Sequence, residues 1–265
     1  MAWRYSVGVQ RRTFLAAPLG AALLQGQTAT PVARAIHELR YYRLRSGRQQ
    51  QRTTDYLQRG LFPAYERAGV KPAGCFSAVI APDTPFLMTF TTHANMAALE
   101  AAKSRLEADK DLQTVADEFN TFTELGYLRI DSYLLQGFPS FPGVTPPPPG
   151  ENRAANIFEI RTYESPNEKG QRRKIQMFGE GEFDIFRRLK MMPVFAGHTI
   201  AGAGMPSLTY MLAYPDLAAR EKAWAAFGSD PEWVKIKAAA GMPDPDMVSN
   251  ISNSIVRPTA FSQIR

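Results

Sequence analysis

The sequence predicts an α+β chain of two tandem modules, each of order β-α-β-β-α-β, the ferredoxin-like arrangement. Three observations predict it. Sequence landmarks recur at one constant offset, a proline-rich stretch separates the two copies, and within each copy stretches of two-residue and helical periodicity alternate in the same order.

The repeat is clearest at the first strand of each copy. Ile36-His37-Glu38-Leu39-Arg40-Tyr41-Tyr42 matches Ile157-Phe158-Glu159-Ile160-Arg161-Thr162-Tyr163, an offset of 157 − 36 = 121. The same offset relates Pro85 to Pro206, Leu87 to Leu208, Ala97-Ala98-Leu99-Glu100 to Ala218-Ala219-Arg220-Glu221, and Asp109 to Asp230. Between the copies lie Gly137-Phe138-Pro139-Ser140-Phe141-Pro142 and the run Pro146 to Pro149. Four consecutive prolines favour extended polyproline and read as a semi-rigid spacer. The boundaries are therefore a leader over 1–33, module one over 34–138, a linker over 139–153 and module two over 154–265.

In module one, alternation gives a strand over 36–43 and helical spacing a helix over 48–67, ended near Gly69 and Pro72. Strands over 73–81 and 86–92 flank a turn holding Pro82, Asp83 and Pro85. Residues 95–124 read as two helical pieces and 128–135 as the last strand. Module two repeats the order: strand 157–164, helix 169–190, strands 193–202 and 207–214, helices 216–227 and 231–240, strand 250–257. Asp230-Pro231 reads as a helix start, with Asp as N-cap and Pro at the first helical position. A ferredoxin-like sheet carries helices on one face only, so the open faces of the two modules are expected to close on each other around a barrel-like interior.

Charge narrows the function classes. The chain of 265 residues carries a formal net charge of +6. Arg4, Arg11, Arg12 and Arg34 supply 4 of it in an N-terminal stretch free of acids; +6 minus 4 leaves +2 for the rest. A near-neutral body argues against a nucleic-acid partner, which requires a basic patch or stripe. The run Arg172-Arg173-Lys174 reads as a solvated helix face. A single cysteine, Cys75, excludes an intrachain disulfide and a cysteine-cluster metal site.

Gln10-Arg11-Arg12-Thr13-Phe14-Leu15, followed by the small apolar stretch Ala16 to Leu24, reads as a twin-arginine export signal. Its apolar stretch is shorter than the roughly 20 residues of a membrane-spanning helix. The expected location is periplasmic or secreted, with membrane contact only through an uncleaved leader.

The strand Glu38-Leu39-Arg40-Tyr41-Tyr42 and its copy resemble the opening strand of the NIPSNAP family. The run Ala213-Tyr214-Pro215-Asp216-Leu217-Ala218-Ala219-Arg220-Glu221-Lys222-Ala223-Trp224, with Asp230-Pro231-Glu232-Trp233, is similar to that family's second-helix region. The second copy is the closer match: in the first, Leu112 stands at the position of Trp233, and Ser104-Arg105-Leu106 at that of Ala225-Ala226-Phe227. The resemblance spans residues 36–265 and implies an intrachain dimeric α+β barrel, a fold shared by small monooxygenases, haem-handling proteins and stress-response proteins. It implies no particular reaction, since one fold hosts many functions.

Because strand side chains alternate, Glu38, Arg40 and Tyr42 share one face of their strand, and Glu159, Arg161 and Tyr163 share the same face of its copy. Phe158 and Ile160 occupy the opposite face, which is expected against helices, so the Glu/Arg/Tyr face is expected to look into the inter-module interior. There it reads either as a polar ligand site, arginines clamping an anion, or as a structural ion-pair ladder that sets how the modules dock. His198 is a candidate base or axial haem ligand; His37, aligned with Phe158, reads as a packing residue. Trp224, Phe227 and Trp233 read as core at helical spacing. Gly197, Gly202 and Gly204 lie in and between strands and form no dinucleotide fingerprint. The expected activity is therefore binding and assembly around a small molecule, with homo-oligomerisation open. The alternative is a small oxygenase or an enzyme handling haem or an apolar ligand.

Replacing Arg11 and Arg12 together by Lys is expected to hold the protein in the cytoplasm. Cell fractionation checks it, and export at the normal level would remove the twin-arginine reading.

Overall fold

In the computed structural model, residues 32–121, 123–148 and 156–265 are described. The leader, with Arg11 and Arg12, and the end of the linker lie outside the described residues. The first copy comprises β1 (Ile36–Arg43), α1 (Arg48–Tyr56), α2 (Phe62–Arg67), β2 (Gly74–Ile80), β3 (Phe86–His93), α3 (Met96–Glu107), α4 (Lys110–Phe119) and β4 (Arg129–Gly137). The second comprises β5 (Ile157–Glu164), α5 (Glu168–Met177), α6 (Phe183–Arg188), β6 (Met192–Ala201), β7 (Ser207–Tyr214), α7 (Leu217–Gly228), α8 (Pro231–Ala238), the short α9 (Asp244–Met247) and β8 (Asn250–Pro258). A single π-helical turn joins α1 to α2 (Leu57–Leu61) and α5 to α6 (Phe178–Glu182), at the same place in each repeat.

The eight strands form one closed antiparallel barrel in the order β1-β3-β2-β8-β5-β7-β6-β4, with β4 returning to β1. Each copy supplies a four-strand ferredoxin-like sheet. The copies are sewn together at two seams, β2 to β8 and β4 to β6, each interrupted by a register shift. Closure removes every sheet edge, and an eight-strand barrel is just wide enough to be filled by side chains or to hold one small ligand.

Three large apolar cores result among the described residues, beside a small cluster of Met177, Ala240 and Met247. Leu39, Phe76, Phe90, Leu135, Phe158 and Phe195 lie in the one that fills the barrel and draws on both copies. The other two lie between the outer face of each sheet and its own helices. Tyr42, Leu57, Leu61 and Tyr65 belong to the first, and Tyr163, Phe178, Phe186 and Phe227 to the second. His37 packs inside the barrel against Phe90 and Phe195, ring centroids 5.5 and 5.4 Å away, and burial, helped by His93, lowers its pKa to about 4. The Asp230 side chain caps α8 as its sequence suggests, accepting from the Glu232 and Trp233 backbones.

The linker does more than space the copies. Phe138 and Phe141 are buried in the helix-side core of the second copy, Val144 bridges to Phe195, and the Thr145 N–H donates to the Val194 carbonyl. The C-terminal tail reciprocates: Ile264 is buried in the barrel, and the Ser262 hydroxyl accepts from the Cys75 N–H. Lys174 also departs from its expected place. It is not on a solvated face but buried under the helices, paired with Glu182 at 2.8 Å, because the π turn brings Glu182 back beside it.

Gly137 ends β4 at a seam, where a Cβ would lie 2.5 Å from the Pro142 carbonyl oxygen. Backbone cannot yield as a flexible side chain does, so Gly137→Ala is expected to cost on the order of 1–3 kcal/mol. Chemical denaturation checks this, and an unchanged transition would show the seam to be loose.

Candidate functional site

The two opening strands face opposite to the sequence expectation. His37, Leu39 and Tyr41 of β1, and Phe158, Ile160 and Thr162 of β5, point into the barrel, whereas Glu38, Arg40, Tyr42, Glu159, Arg161 and Tyr163 point outward beneath the helices. The physical reason is partner supply. The barrel interior is filled from eight strands that bring mostly apolar groups, whereas the helices on the outer face bring donors for a buried charge.

In the second copy this supply is complete. Glu159, fully buried, accepts from the Trp224 indole N–H (2.7 Å), Arg161 (3.1 Å), the Tyr214 hydroxyl (3.3 Å) and Arg220. Burial pushes its carboxyl up, but the hydrogen bonds from Arg220 and Trp224 and the nearby arginine charges outweigh that and hold its pKa below the usual carboxylate range. Arg161 stacks on Trp224 at 4.4 Å and donates to the Tyr163 hydroxyl, which in turn meets the Tyr210 hydroxyl at 2.8 Å. This is an ion-pair network within one module, between its sheet and its helices; it does not join the modules. In the first copy Glu38 meets Lys103 at 3.2 Å, and Arg40 lies over the Tyr42 ring. The two Glu/Arg/Tyr groups thus belong to separate cores.

His198 does not reach the barrel interior. Its neighbour Thr199 lines a cavity there, and His198 itself points to the other side of β6, half-buried, where burial and then Arg34 lower its pKa. A haem ligand from this position would have to bind outside the barrel.

A polar site between the copies does exist, built from the residues that alternate with the expected ones. A cavity of about 220 Å³ opens at the mouth of the barrel where β1 and β5 end. Leu39, Leu135 and Ile160 are among its apolar lining. The first copy contributes an aromatic wall: Tyr41 packs edge-on to Phe86 (5.2 Å) and Tyr133 (5.9 Å), and the Arg43 guanidinium lies over the Tyr41 ring at 5.0 Å. Arg43 is anchored by Asp131 at 2.7 Å. The second copy contributes a wall of hydroxyls, Thr162, Thr199, Ser207, Thr209, Ser252 and Ser254, with Glu164 near the rim. Thr162 pairs with Thr209 (2.9 Å) and Thr199 with Ser207 (2.8 Å), which fixes their rotamers. Burial, reinforced by Tyr133 and opposed by Arg43, pushes the Tyr41 phenol up, so it remains a proton donor at neutral pH.

The two walls are the repeat read twice. At the 121-residue offset, Tyr41 corresponds to Thr162, Arg43 to Glu164, Asp131 to Ser252, Tyr133 to Ser254 and Phe86 to Ser207. Only Tyr41, Arg43, Thr162 and Glu164 lie on the opening strands, where they were legible had the inward face been assigned correctly; the others lie on β3, β4, β7 and β8.

This cavity does not suit haem. It is smaller than the roughly 300–1,000 Å³ of ordinary cofactor pockets, and no histidine, cysteine or methionine is among the residues lining it. Among the described residues no cluster of histidine, cysteine and carboxylate side chains has the geometry to hold a metal ion.

The NIPSNAP family model matches residues 158–263, the second copy. No curated protein sequence matches the chain. Among solved structures, a monooxygenase candidate from Fusobacterium nucleatum subsp. nucleatum ATCC 25586 superposes with a TM-score of 0.55 at 9% identity, over 86% of this chain and 93% of that one. A second monooxygenase candidate, from Lactobacillus acidophilus NCFM, gives 0.52 at 9%, over 85% and 94%. An anthrone oxidase-like protein gives 0.50 at 12%, over 85% and 92%. At such identities the likeness is one of fold: the closed α+β barrel.

Glu159→Gln is expected to destabilise the protein at pH 7 by on the order of 3 kcal/mol, because it leaves Arg161 and Arg220 without their buried counter-charge. A carboxyl whose folded pKa is depressed contributes stability above its unfolded pKa and loses it as pH falls through the folded value. The gap between wild type and variant in urea denaturation is therefore expected to narrow as the pH is lowered below the usual carboxylate range; a gap independent of pH would contradict the assignment.

Proposed function

We propose that the chain is an exported protein of two NIPSNAP modules that binds a small, planar, polar-edged organic molecule in the mouth of the barrel. The observation that carries this reading is the asymmetry of the cavity. An aromatic wall from one copy faces a hydroxyl wall from the other, across a space of about 220 Å³. Aromatic side chains take a flat ring edge-on or offset-stacked, and rotamer-fixed hydroxyls read the donors and acceptors on its edge. Arg43, its charge already met by Asp131, adds donors without demanding an anion.

The names of the structural neighbours favour a second reading, in which the bound molecule is also oxidised. Glu164 is the carboxylate among the lining residues and is the group that would accept a substrate proton in such a reaction. Binding needs only the walls; oxidation needs Glu164 as well.

Native mass spectrometry of the protein, recovered from its own compartment and then exposed to a panel of monocyclic phenols, tests both readings. Wild type is expected to carry a small bound mass, or to gain one from the panel. Ser254→Phe, which fills the cavity from the hydroxyl wall, is expected to lose it while keeping the circular dichroism of the wild type. Failure of every phenol to bind or to raise the melting temperature would remove the proposal. Dioxygen consumption that depends on the phenol and is lost in Glu164→Gln, with binding kept, would select the oxidising form.

A further inference from the structure

The repeat has treated its two outward arginines differently. In the second copy the guanidinium of Arg161 is occupied by a carboxylate, Glu159, at 3.1 Å and covered by the Trp224 ring at 4.4 Å. At the equivalent positions of the first copy, Trp224 becomes Lys103, Arg220 becomes Leu99 and Tyr210 becomes Thr89. The first two changes remove donors to the glutamate, the first also removes the ring that covers the arginine, and the third removes the hydroxyl that meets Tyr163. Glu38 accordingly turns to Lys103, at 3.2 Å, and Arg40 is left without an ion pair or a side-chain hydrogen bond among the described residues. Its guanidinium lies 5.7 Å over the Tyr42 ring, in a half-buried position; burial opposes its charge, but Tyr42, Tyr65, Glu38 and Tyr56 outweigh that and raise its pKa.

We propose that Arg40 is a second binding site, for a small monocarboxylate, independent of the barrel-mouth cavity. The protein carries the precedent for this ligand itself, since the same arginine in the other copy holds a carboxylate. Charge favours a monoanion. Arg40 and Lys103 contribute two positive charges against one from Glu38, and His93, whose pKa is lowered by burial, is neutral at pH 7. A planar carboxylate matches the guanidinium fork, and tyrosine hydroxyls can complete its shell. Lys103 is about half exposed, whereas its partner Glu38 is buried. Arg40 lies on the helix side of β1 and the barrel cavity on the other, so loss of one site leaves the other in place.

The test is titration of the full chain with acetate, at constant ionic strength against chloride, followed through the arginine Nε–H resonances in NMR. The Arg40 resonance is expected to shift saturably and the Arg161 resonance to stay fixed. Arg40→Met is expected to abolish binding. Lys103→Trp, which restores the covering residue of the second copy and keeps Arg40, is expected to weaken it more than about tenfold, since one charge-assisted hydrogen bond contributes about 1.5–3 kcal/mol. It should not lower the melting temperature, which separates loss of the site from loss of the fold. A non-saturating shift, or equal shifts at both arginines, would mean ionic screening only and would overturn the proposal, as would undiminished binding in Lys103→Trp.

Discussion

Everything in this molecule depends on the closing of eight strands into a barrel from a single chain. Closure creates an inside lined by strand side chains alone, most of them apolar below the mouth, where a charge finds few partners, and an outer face where helices can deliver them. The distribution of residues on β1 and β5 follows. Phe158 and Ile160 fill the barrel with Leu39, while Glu159 lies on the outer face where α7 brings Arg220 and Trp224 to it. A buried carboxylate with four donors is tolerable; the same carboxylate turned inward would face Phe76, Phe195 and Met211 and would remain ionised only at a cost of several kcal/mol.

The fold was legible because its signals are local and doubled. The 121-residue offset aligned two copies whose strands and helices could each be read from periodicity, and every main element was found within a few residues of its expected bounds. The short α9 was missed, since four residues carry no period. What alternation cannot give is its own phase. It says that Glu159, Arg161 and Tyr163 share a face but not which face is the inside. Assigning the polar set to the interior assumed that helices take the most apolar partner. In a closed barrel the more demanding environment is the interior itself.

The linker shows a second limit of the same kind. Proline content was read as the end of a module, but composition is silent on where flanking aromatics pack. Phe138 and Phe141 anchor the first copy into the helix-side core of the second, and Ile264 carries the chain end back into the barrel. The modules therefore exchange material at both ends. Two short, register-shifted seams would be a weak bond between separate subunits; here covalent linkage and these exchanged segments add to them.

Fusing two copies also changes what the interior can become. In a barrel made of identical subunits, any residue placed in the mouth appears twice, and the two walls must be the same. A tandem repeat lifts that constraint, and this chain differs at each of the mouth positions compared: Tyr41 against Thr162, Arg43 against Glu164, Asp131 against Ser252, Tyr133 against Ser254. Below that level the lining stays matched, Leu39 against Ile160, because packing the barrel floor is a demand both copies share. Deeper in the barrel the copies differ again, His37 against Phe158, but there both side chains serve packing, whereas the differences at the open end exchange charges and hydroxyls that a bound molecule would meet. The same logic applies outside the barrel. The second copy retains the full donor set around Glu159, while the first has Lys103, Leu99 and His93 in place of Trp224, Arg220 and Tyr214. One copy therefore holds a closed electrostatic core, and its twin carries the same arginine with its glutamate turned to Lys103.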